Sequence, residues 1–81
     1  MSFIAEIKVM PLKELLDPQG KAVLSGLGNL GIKSVNDVRI GKHIRLQIES
    51  GSREHALVIA EEAAKKLLAN PVMEEYTIQI D

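Results

Sequence analysis

A chain of 81 residues without a single cysteine cannot draw stability from disulfides. A domain this short buries only roughly 60–65% of the surface its unfolded form exposes, so its margin is thin. Small domains compensate with disulfides, a structural metal or a partner subunit. The missing thiols remove the first, together with thiolate metal sites and thiol nucleophiles. Two histidines, His43 and His55, do not make a metal site alone. Oligomerisation is left. The apolar fraction, 46%, is ample for a core, but Phe3 and Tyr76 are the only aromatic residues. The core is therefore expected to be Leu, Ile, Val and Ala, within one domain spanning residues 1–81.

Near the N-terminus, Phe3, Ala5, Ile7 and Val9 share one parity against Glu6 and Lys8. Such alternation predicts a strand with one buried face, ended by Pro11. Asp17-Pro18 then starts a helix by physical means. The carboxylate accepts from free N–H groups of the first turn, and proline at the first helical position gives up no bond. Val23, Leu24, Leu27 and Leu30 form a helical stripe, and Gly31 is a natural left-handed cap. The glycines Gly26, Gly28 and Gly31 lie at the helix end, which presents carbonyls, so they do not form a phosphate-cradling loop.

Two further strands are predicted over Lys33–Ile40 and Lys42–Glu49, joined by a tight reversal at Gly41 with positive φ. In the second, Ile44, Leu46 and Ile48 face in, while His43, Arg45, Gln47 and Glu49 face out. Ser52 is placed to cap a second helix. Leu57, Ala60, Ala64 and Leu67 are its expected inner face, and Glu61–Lys65 and Glu62–Lys66 its i,i+4 ion pairs. Asn70-Pro71 stops it. A last strand puts Tyr76, Ile78 and Ile80 inward. The expected architecture is α+β, in the order β-α-β-β-α-β. It is a ferredoxin-like variant, a four-stranded antiparallel sheet with both helices on one face.

That fold hosts many activities, so function has to come from side chains. The net charge is −1 with both signs interspersed, and no basic run offers itself to phosphates. Outward aromatics for stacking bases are missing, so nucleic acid is not the expected partner. No apolar run approaches the roughly 20 residues that span a bilayer, and the N-terminus does not read as a signal peptide. A cytoplasmic protein with no membrane partner is expected. His43 and His55 read as surface residues. Adjacent carboxylates such as Glu61 and Glu62 diverge by about 100° on a helix and form no catalytic dyad. No catalytic, cofactor or metal residue is assigned. Binding other proteins is the remaining role.

Three segments carry a family resemblance: Leu16-Asp17-Pro18-Gln19-Gly20-Lys21-Ala22, Asp37-Val38-Arg39-Ile40-Gly41-Lys42, and Leu67-Leu68-Ala69-Asn70-Pro71-Val72. In this order and spacing the chain resembles the PurS family over nearly its whole length. That family is the small subunit of the multi-subunit phosphoribosylformylglycinamidine synthase of purine biosynthesis. The resemblance implies a non-catalytic role. A synthetase subunit activates the substrate amide with ATP, and a glutaminase subunit makes ammonia. The small subunit forms homodimers or higher oligomers, bridges the two and aids ammonia transfer. The complex is expected to use ATP and Mg, and this chain to bind no cofactor itself. Asp17, Gln19, Lys21, Arg39, Lys42 and Arg45 are the expected interface residues, because they hold the recognisable segments without forming core. The alternative is an ACT-like regulatory module, which shares the element order and binds an amino acid at a dimer interface.

Overall fold

The computed structural model describes all residues, 1–81. Strand β1, Ser2–Pro11, is followed by helix α1, Pro18–Asn29, and strand β2, Lys42–Glu49. Helix α2, Arg53–Ala63, widens into a π turn over Ala64–Leu68, and strand β3, Glu74–Ile80, closes the chain. The caps form as their chemistry requires. Asp17 accepts from Gly20 N–H at 3.1 Å, and Ser52 accepts from His55 N–H at 3.1 Å. Gly31, at φ 86°, ends α1 with its own N–H on Gly28 O and that of Ile32 on Leu27 O. Those two bonds satisfy carbonyls that a helix end leaves free.

The sheet has three strands in the order β2-β1-β3, all antiparallel, not the four expected. Registers Ile7↔Ile44 and Ile7↔Ile78 put the apolar parity of all three strands on one face. There Ala5, Ile7 and Val9 are fully buried, with Ile48 and Ile80 nearly so. Glu6, Lys8, Arg45, Gln47, Thr77 and Gln79 share the opposite, open face, as register with β1 demands.

One helix, not two, covers the apolar face. Helix α2 and its π turn bring Ala56, Ala60 and Ala64 onto the sheet, all completely buried. Alanines four apart let the helix axis approach the strands closely. Ile59 and Leu68 fill the flanks. Leu57 and Leu67 are exposed, against the expected inner face, because the alanine stripe sets the helix's rotation. Of the two expected ion pairs, Glu62–Lys66 forms at 2.9 Å. Glu61 instead accepts a hydrogen bond from the Tyr76 hydroxyl at 3.0 Å.

The missing strand is Lys33–Ile40. It forms no strand and has no ladder partner, and the expected hairpin does not form. Alternation fixes a strand's faces and leaves open which edge takes its hydrogen bonds. A reversal at Gly41 would need positive φ, and Gly31 is the only residue that has it. Gly41 serves another purpose. A Cβ there would fall 2.3 Å from both Val9 O and Met10 Sδ, so only glycine lets the chain lie against the end of β1. The backbone therefore runs straight on from β2 instead of folding back. Helix α1 likewise makes no extended contact with the sheet. Together α1 and residues 32–41 form an arm. The molecule measures 51 × 24 × 14 Å, and its radius of gyration is 16.2 Å where a compact chain of this length would have about 12 Å.

Candidate functional site

The arm leaves the sheet through a small polar joint, and the joint is built from the segments that stand out in the sequence. Asp17 works with both carboxylate oxygens. One caps α1 through Gly20 N–H, and the other accepts from Ile40 N–H at 2.8 Å. One side chain thus ties the start of the helix to the end of the extended segment. The Ile40 N–H, then that of Gly20, hold its carboxyl below the ordinary aspartate range, and the Arg39 charge adds to this.

Arg39 makes the second tie. Its Nη2 donates to Pro11 O at 2.7 Å and Leu12 O at 2.6 Å, and its Nη1 to Lys13 O at 3.3 Å. A planar guanidinium is suited to gathering several carbonyls of a loop at once. Its Nε is buried without a partner. Gly20 completes the joint. A Cβ there would lie 2.1 Å from Val38 O, so helix and extended segment touch only because the residue has no side chain. Composition gives no hint of this; the clue is a glycine in the first helical turn, where it weakens the helix.

The structure brings some of the expected interface residues together and separates others. Asp17, Lys21 and Arg39 border one shallow hollow with Lys13, Glu14 and Asp37. Three cations face three carboxylates there, a balance that does not single out a phosphate. Gln19 opens onto the neighbouring hollow beside Asn70 and Met73. Lys42 lies on the helix side of β2, its Nζ 3.4 Å from Leu68 O and 3.9 Å from Glu74. Arg45 is on the open face, 3.2 Å from Glu6.

Glu6 also meets His43 Nε2 at 2.7 Å. Hydrogen bonds from His43 first, and Arg45 second, hold its carboxyl below the usual range. The His43 reading missed this acid because only the β1–β2 register brings the two together. His55 Nδ1 is 2.9 Å from Ser50 Oγ. No group of three or more His, Cys, Asp or Glu side chains is placed to hold a metal ion. No helix is long and apolar enough to cross a membrane.

Apolar side chains are left open to solvent in and around the arm, as they are at Leu67 and Val72 on the body. Leu30 is 77% exposed and Leu16 69%, and Val23, Ile32 and Val35 are also open to solvent. Comparison with known proteins gives this surface a context. The family model described as PurS, phosphoribosylformylglycinamidine (FGAM) synthase, matches residues 4–81. The chain belongs to the PurS family. The PurS subunit of phosphoribosylformylglycinamidine synthase from Bacillus subtilis is 44% identical over 78 residues, covering 94% of this chain and 92% of the relative. That of Mycobacterium leprae is 42% identical, covering 91% and 90%. Among solved structures, B. subtilis PurS superposes with a TM-score of 0.88 at 38% identity, covering 98% of each chain. A chain of the PurLQS structure from Thermotoga maritima gives 0.91 at 32% identity, covering 100% of this chain and 99% of that one. Coverage that complete includes the arm, so the open shape is shared with these relatives.

Proposed function

We propose that this chain is the PurS subunit of a cytoplasmic phosphoribosylformylglycinamidine synthase in purine biosynthesis, and that it acts by assembly. In this reading it associates with itself, bridges the ATP-dependent synthetase subunit to the glutaminase subunit, and aids ammonia transfer between them. ATP and Mg belong to the synthetase subunit, and this chain contributes no reacting group.

The observation that carries the reading is the unfinished architecture. A segment with no ladder and a helix that stands outside the core cluster support a role in binding other chains. Asp17 and Arg39 fix how the arm leaves the body, and Gln19 and Lys21 are polar residues near that joint, whereas Lys42 and Arg45 lie on β2.

Reconstitution from the three purified subunits tests the proposal. Glutamine-dependent product formation should require this chain, whereas formation from added ammonium should proceed with the synthetase subunit alone. Equal glutamine-dependent rates with and without the chain would refute it. So would hydrolysis of glutamine or ATP by this chain in isolation.

A further inference from the structure

We propose that Met10 is a redox-sensitive latch for the arm. While its sulfur is a thioether, the arm stays seated on the end of β1; conversion to the sulfoxide unseats it. The inference concerns the arm's attachment alone and stands whether or not the chain bridges other subunits.

Gly41 is where the arm rests on the sheet. The space that a Cβ of Gly41 would fill is taken by Met10 Sδ and by the carbonyl oxygen of Val9. A thioether is soft and weakly polar, so it packs against a bare Cα without needing a hydrogen bond. A sulfoxide is polar and chiral, and its oxygen calls for a donor. Val9 O, the polar atom at that spot, is an acceptor and repels a second oxygen. Arg39 and Lys13 line the same hollow as Met10. The Arg39 guanidinium, however, already donates to the carbonyls of Pro11, Leu12 and Lys13. The oxidised side chain must turn away from Gly41, toward water or Lys13, or else draw Arg39 from those carbonyls. Each movement removes one of the contacts that fix the arm.

Met10 is placed to meet an oxidant. It is 36% exposed and borders two open hollows, one with Lys13 and Arg39, the other with Lys8 and Tyr76. The chain has no cysteine to intercept the oxidant first. Met1 and Met73 are more open and should react sooner, but the sulfur against Gly41 is that of Met10. The oxidant is a hydroperoxide. A lone pair on Sδ attacks the distal peroxide oxygen, and the S–O bond forms as the O–O bond breaks. The leaving oxygen takes the electron pair and the proton, and departs as water or an alcohol. Sulfur is oxidised by two electrons and the peroxide is reduced by two. Methionine sulfoxide reductases reverse the change, so the latch can be reset.

Peroxide treatment of the unmodified protein tests this, with each methionine's oxidation followed by peptide mass and amide exchange read residue by residue. The reporter is the Ile40 amide, which donates to Asp17 within the joint and adjoins Gly41. Its exchange should quicken by about tenfold or more as Met10 is oxidised, while the Ile7 amide keeps its rate. Methionine sulfoxide reductase should restore the slow rate. An Ile40 amide unmoved by full oxidation of Met10 would overturn the proposal. So would a Met10 that resists peroxide once Met1 and Met73 are fully oxidised. Two variants isolate the sulfur. Met10→Leu keeps the apolar bulk and should hold the parent's Ile40 rate after the same treatment. Met10→Gln places a polar group of similar length there and should show the fast rate with no oxidant present. A Met10→Leu protein that still responds to peroxide, or a Met10→Gln protein with the parent's rate, would assign the arm's attachment to other contacts and refute the latch.

Discussion

The body and the arm are written in the same kind of sequence and end in opposite states. Each has apolar residues at regular spacing and a capped helix. In the body, the stripe Ala56-Ala60-Ala64 meets Ala5, Ile7 and Val9, and the result is a dry core. In the arm, Val23 and Leu30 meet water. The arm is held instead by a carboxylate, a guanidinium and two glycines. An apolar pattern prescribes a surface to be covered, and in the arm no part of the same chain covers it fully.

The largest effects should separate these two regions. Ile7 is completely buried at the centre of the sheet, facing Ile44 and Ile78 across the ladders. Ile7→Ala leaves a cavity under α2 and should destabilise the fold by about 2–5 kcal/mol, enough to unfold a domain this small. Leu30→Ala removes the same kind of carbon from a side chain that is 77% exposed. Urea titration at low protein concentration should find the body's stability unchanged. Sedimentation should find weaker self-association. A large loss of monomer stability in Leu30→Ala would mean that the arm packs on its own body.

Much of this was legible from the residues. The strand parities, the caps at Asp17 and Ser52, the stop at Asn70-Pro71 and the family itself could all be read, since each depends on neighbours within a few positions. The fourth strand was not. Residues 33–40 form no strand, because a ladder is a long-range event, and Gly41 acts through contact with Val9 and not through φ. The rotation of α2 was misjudged for a related reason. Leucine outweighs alanine in any hydrophobic count, yet close approach to a sheet favours the smaller residue. In the interface set, Asp17 and Arg39 are placed at a structural joint because their partners, Ile40 N–H and the carbonyls of residues 11–13, lie more than 20 residues away.

The joint should give the next largest effect. In Gly20→Ala the new methyl lies 2.1 Å from Val38 O, and helix and segment must move apart. Overpacking of this kind costs about 1–3 kcal/mol. Here it should appear as a changed arm angle, with the sheet's own unfolding little altered. Gly41→Ala crowds Val9 O, which belongs to the sheet, so it should also loosen the end of β1. Solution scattering with amide exchange at Val9 and Lys42 would tell the two apart.

Acid should loosen the joint through Asp17. The Asp17 carboxyl is held below its ordinary range in the folded chain, so its contribution is complete above the unfolded pKa. That contribution is lost as the pH falls through the lowered folded value. Glu6 and Glu49 are depressed as well, but both belong to the sheet. Asp17→Asn isolates the arm's share. A carboxylate offers two acceptor oxygens to Gly20 and Ile40, whereas an amide offers one and turns an NH2 toward the other donor. The variant should exchange the Ile40 amide faster at neutral pH and lose the acid dependence of that amide. Retention of the acid dependence would assign it to another carboxylate.

The smallest effect is expected where an ion pair sits on the body and touches neither core nor joint. Lys66 and Glu62 meet at 2.9 Å, with both side chains mostly in solvent. Water screens such a pair, and ordering two long side chains offsets much of its attraction. Glu62→Gln should leave the thermal midpoint within error, at low salt as at high. Tyr76→Phe is a sharper companion. It removes the hydroxyl bond to Glu61, which links β3 to the body's one helix, and burial together with that carboxylate holds the phenol above its usual range. A small drop in midpoint for Tyr76→Phe, against none for Glu62→Gln, would show that a polar contact matters on this protein only when it joins two elements. That is the property which makes Asp17 costly to lose and Glu62 dispensable.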